Sequence, residues 1–132
     1  MKISGRKNIT GERVNAMAAV NAAAENKRLS ISPHAIQHRV YEIKLREAEA
    51  FLRDPSLTTD DTPLISNEAL YTGRTREETA KSIREAYAHW LDLIMKIEAE
   101  RFRANSKIQQ SIDVKEMRLI ADDFAAEIDL IG

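Results

Sequence analysis

The sequence predicts an all-α protein: an antiparallel helical hairpin or bundle built on one long helix, with a flexible N-terminal arm. Three observations carry this. Only four Gly and three Pro interrupt 132 residues. The chain is rich in Ala, Glu, Lys, Arg, Ile and Leu and poor in aromatics, at 5%, and most of these residues lose little rotamer freedom in a helix. Residues 75–110 hold no Gly or Pro, and apolar residues recur there at Ile83, Tyr87, Trp90, Ile94, Ile97, Ala104 and Ile108. Their gaps of four and three, with one turn skipped at Arg101, describe a narrow helical seam.

Taken in order, residues 1–9 lack helical periodicity and contain Gly5 with a Lys/Arg trio, which reads as an arm that orders on a neighbour or as a frayed terminus. Thr10 can cap a helix over about 11–28, whose stripe of Val14, Met17, Val20 and Ala24 is thin and Ala-rich. Such a face permits close approach but buries little, so this helix depends on neighbours. Ser32-Pro33 opens a second helix over 33–53, which stops before Asp54-Pro55 and carries a broad apolar face from Ile36 to Leu52. Residues 54–62 are turn formers with an acidic pair. Thr62-Pro63 starts a short helix over 63–71, ended by Gly73. Thr75 and Glu78 form a capping box for the long helix over 76–110, and Asp113 with Glu116 forms another for a last helix over 114–131. The helices from residue 10 to 132 are expected to make one domain. No internal repeat and no alternating strand pattern is present.

The simplest packing pairs helices 33–53 and 76–110 as the hairpin, with the short helix over the turn and the last helix folded back on the long one. At about 1.5 Å per residue the long helix is on the order of 50 Å, more than a domain of this size needs. Its far end, Phe102 to Ile112, therefore either meets the first and last helices or reaches a neighbouring subunit. Arg101 occupies a seam position where an apolar residue belongs, so the core is expected to thin there.

Composition narrows the chemistry. There is no cysteine, which removes disulfides, thiolate metal sites and a cysteine nucleophile. The basic first residues are not followed by an apolar stretch of signal-peptide type, and no run approaches membrane-spanning length, so a soluble chain with no membrane partner is expected. Net charge is −1, but residues 1–53 hold ten Lys/Arg against five Asp/Glu, and residues 54–132 hold ten against sixteen. Opposite halves suit contacts between copies, although pairing between antiparallel helices within one chain explains the same asymmetry with less.

Candidate sites are sparse. His34, His38 and Glu42 are spaced by four on one helix and could converge on a metal, but no further ligands are in view, and a solvated face explains them better. Adjacent carboxylates such as Asp122 and Asp123 point apart on a helix, no serine sits in a nucleophile elbow, and the glycines are too scattered for a phosphate loop. No cofactor is expected and no enzyme activity is read. Lys96, Arg101, Arg103 and Lys107 surround Phe102 in the manner of a nucleic-acid reader, yet Glu98 and Glu100 share those turns. The residues singled out for partner binding are Val14, Met17, Val20, Arg101, Phe102, Ile108 and Ile112, with a homo-oligomer as the expected product.

The run Tyr41-Glu42-Ile43-Lys44, Ala48, Phe51-Leu52, Asp54-Pro55, then Pro63-Leu64-Ile65, Ala69, Thr72-Gly73-Arg74-Thr75, and finally Trp90, Ile97-Glu98 and Arg101 resembles small helical proteins and domains encoded among the tail genes of tailed bacteriophages and prophages. The resemblance spans about residues 35–108. It implies a non-enzymatic tail, tail-fibre or baseplate component of the virion, made in the host cytoplasm and partnered by other tail proteins. A tail-assembly chaperone absent from the mature particle is the first alternative, and a small nucleic-acid-binding regulator the second.

Overall fold

The computed structural model describes the backbone of residues 2–31 and 35–132, with side chains for all of these except 2–7 and 35–38. Among the described residues there are five helices and no strand: α1 Lys2–Ile31, α2 Ala35–Arg53, α3 Pro63–Thr72, α4 Arg76–Gln110 and α5 Val114–Asp129. The fold is all-α, with one long helix where the seam predicts it.

The first helix departs from expectation. Helical backbone begins at Lys2, so residues 2–9 of the segment read as an arm over 1–9 belong to α1, and Thr10 lies inside the helix instead of capping it. The physical reason is that no proline stands before residue 33, while an isolated Gly costs a helix only about 1 kcal/mol. The Ser32-Pro33 cap lies outside the described residues.

Contacts divide the chain into two compact units, residues 1–31 with 93–132 and residues 32–92, where a single domain over 10–132 was expected. In the second unit, Ala48 and Phe51 of α2 and Ile65 of α3 pack with Ala80 and Ile83 of α4. Tyr41 donates its hydroxyl to the Ile83 carbonyl at 3.3 Å, and the Arg76 guanidinium lies over the Phe51 ring at 4.5 Å. These two links run in opposite order along α2 and α4, which gives the antiparallel hairpin.

The caps of this unit are partly as expected. Thr75 and Glu78 exchange both bonds of the capping box at 3.0 Å, and Gly73 ends α3 at φ 68°, the left-handed conformation only glycine adopts without strain. Thr62 stands at the N-cap of α3 with Pro63 following it, as expected, but its side chain makes no capping bond. Its buried hydroxyl donates to the Thr58 carbonyl at 3.1 Å, and Glu47, arriving from α2, accepts from the Leu64 and Ile65 amides at 2.8 and 3.1 Å.

In the first unit, Ala16, Val20 and Ala24 of α1 share a core with Ile97, Ala104 and Ile108 of α4 and with Met117, Ala121, Phe124 and Ile128 of α5. Helices α1 and α5 run parallel, tied by Glu12–Arg118 toward their starts and by Lys27 to the Asp129 carbonyl at their ends. Helix α4 opposes both, since Arg13 reaches the Ser111 carbonyl at 2.9 Å while Arg28 meets Glu98 at 2.5 Å. Asp113 caps α5 through the Lys115 amide. Its own amide donates to Ser111 Oγ, where Glu116 was expected to accept. Helix α5 closes at Asp129 on a right-handed Leu130, two residues earlier than the apolar pattern suggests.

Candidate assembly surface

The seam of α4 is covered by its own chain. Ile83, Ile97, Ala104 and Ile108 are buried, and Tyr87, Trp90 and Ile94 are half-buried. The rings of Tyr87 and Trp90 lie 5.7 Å apart in a tilted pair. The far end of α4 thus meets the first and last helices, and the Ala-rich face of α1 serves to bring that helix close enough to seal the core.

This places the residues singled out for partner binding in two groups. Val20 and Ile108 are 0% exposed and belong to the intrachain core, and Met17 packs against it half-buried. They are corrected from partner contacts to packing residues. Val14, Phe102 and Ile112 remain open, with Phe102 66% exposed. The seam pattern could not separate these groups, because it records which face of a helix is apolar and not whose helix covers it.

Arg101 also behaves differently from expectation, because the core does not thin beside it: Ala104 and Ile108 beyond it are buried. It lifts its guanidinium to the edge of the core, where Nε and Nη2 donate to Glu98 at 3.0 and 2.8 Å and Nη1 reaches Asn21 of α1 at 3.3 Å. Its Cζ stands 4.9 Å from the Phe102 ring centroid. Glu98 is the hub, bonded to Arg101 and to Arg28, which also pairs with Glu25. The bond from Arg101, and then the charges of Arg101 and Arg28, hold the Glu98 carboxyl below its ordinary value. The charge at the seam therefore fixes α1 on α4 within one chain.

That network also bears on nucleic acid. Arg101 is neutralised by Glu98 and Arg103 by Glu100 at 3.2 Å, so the patch around Phe102 is not the unbroken basic face that phosphate binding needs. His34 and the side chain of His38 lie outside the described residues. Among the described residues no group of three or more His, Cys, Asp or Glu is placed to hold a metal, and no helix is long and apolar enough to cross a membrane.

What the sequence did not reveal is a groove of about 140 Å³ between α4 and α5. Ala104, Ile120 and Phe124 line it between two charged rims, Glu100, Arg103 and Lys107 on α4 and Asp123 and Glu127 on α5. Among the described residues no ion pair joins Lys107 to either α5 carboxylate. Leu119 and Leu130, 59% and 86% exposed, fall on the same helical row as Asp123 and Glu127, spaced four, four and three. The signal lay in that spacing, once the direction of the α5 core face was known.

Compared with known proteins, the chain matches no family model, no curated protein and no solved structure.

Proposed function

We propose that the protein is a non-enzymatic structural or adaptor component of a bacteriophage tail, which assembles by helix–helix packing with copies of itself or with other tail proteins. The observation that carries the assembly reading is the contrast between closed interiors and open outer faces. The core residues are sheltered within the chain, while Val14, Leu29, Met95, Phe102, Ile112, Leu119 and Leu130 stay more than half exposed on well-formed helices or their ends. These side chains are the apolar area available for burial against a partner. The tail assignment is supported by the resemblance of residues 35–108 alone.

Mass spectrometry of purified particles tests it. A structural component is present at fixed stoichiometry in washed virions, whereas an assembly chaperone is found in infected cells and missing from the particles. Absence from both particles and assembly intermediates refutes the proposal.

A further inference from the structure

The α4–α5 groove presents opposite charges on its two rims, and this is the condition a symmetric self-contact must meet. In an isologous dimer whose axis runs along the groove, each rim touches the other rim of the second copy. Glu100 pairs with Arg103 on the α4 rim, and Lys107 leaves that rim net positive against Asp123 and Glu127, so the surface complements itself. Arg103 and Lys107 lie on one row of α4, and Asp123 and Glu127 on one row of α5. The groove between them keeps the rims apart, leaving Lys107, Asp123 and Glu127 exposed and open to charges from outside.

We infer that this groove is a homodimer interface, with the two-fold axis running along the groove. That orientation lays α4 of one copy over α5 of the other, so Arg103 and Lys107 meet the second copy's Asp123 and Glu127. An axis across the groove would set α4 on α4, basic rim against basic rim, which opposes association. Leu119 and Leu130, at the ends of the acidic row, supply apolar area that the contact covers. This inference deepens the assembly reading and rests on it.

The test is a charge swap in the full chain. One variant carries Arg103→Glu with Lys107→Glu, the other Asp123→Lys with Glu127→Lys. These side chains are exposed, so circular dichroism should show unchanged helicity. Sedimentation equilibrium at low salt should find the wild type dimeric and each variant weakened by about tenfold or more, while an equimolar mixture of the two regains the dimer. The neutral variant Asp123→Asn with Glu127→Gln should weaken the dimer without introducing like charges, and it serves if either reversal impairs folding. A wild type that stays monomeric, a reversed variant that dimerises normally, or a mixture that stays monomeric overturns the inference. Wild-type incorporation of a reversed chain into particles would overturn the groove pairing alone and leave the tail role standing.

Discussion

Replacing Ile108 with alanine separates a core residue from an interface residue in one experiment. Ile108 is 0% exposed within a single chain and sits among Val20 and Ala24 of α1 and Phe124 of α5. The substitution removes three carbons from a site with no contact to water, a transfer loss of roughly 2.4 kcal/mol at about 0.8 per carbon. The cavity left between three helices brings the total to about 3–4 kcal/mol, within the range for large aliphatic-to-alanine changes. Phe102→Ala on the same helix removes a larger side chain that is 66% exposed, and should change the stability of the isolated chain by no more than about 0.5 kcal/mol. Urea unfolding followed at 222 nm, repeated over a wide range of protein concentration, reads both. An Ile108→Ala penalty that vanishes on dilution, or one no larger than that of Phe102→Ala, would return Ile108 to the interface and refute the placement of the core.

Three further outcomes are expected. Glu47→Ala should destabilise by about 1–2 kcal/mol, since it strips the Leu64 and Ile65 amides of their shared acceptor; equal urea midpoints would mean that Glu47 is not the cap of α3. Gly73→Ala should cost about 1–2 kcal/mol through backbone strain alone, because nothing lies within 4 Å of the added Cβ at φ +68°; unchanged thermal stability would contradict the left-handed C-cap. The Glu98 carboxyl is held below its ordinary 4.5 when folded, so its contribution is present above that pH and is lost as pH falls through the lower folded value. Glu98→Gln should therefore be less stable than wild type at neutral pH, and the difference should shrink in acid; a gap of constant size across the series would contradict the network.

Much of the fold was legible because its signals are local. The bounds of α4 follow from a capping box at Thr75 and an uninterrupted run of helix formers, and the end of α3 follows from a glycine where a left-handed residue is needed. What escaped was tertiary. Glu47 caps α3 from seventeen residues away, and no window around Thr62 contains that acceptor. Arg101 resembled an interface charge because Asn21, and the Arg28 that shares its acid Glu98, reach it only when α1 lies against α4, although Glu98 itself stands three residues back on the same helix. The candidate site was less legible than the fold. Val20 and Ile108 carry the same apolar signature as Val14 and Ile112, and only the packing of α1 and α5 around α4 decides which pair faces outward.

The molecular mass in solution tests assembly most directly. Sedimentation equilibrium of the untagged wild-type chain over a concentration series should show a transition from 15.0 kDa to twice that mass, shifting to higher concentration as salt is added. A mass of 15.0 kDa at every concentration and salt would contradict self-assembly through these helix faces.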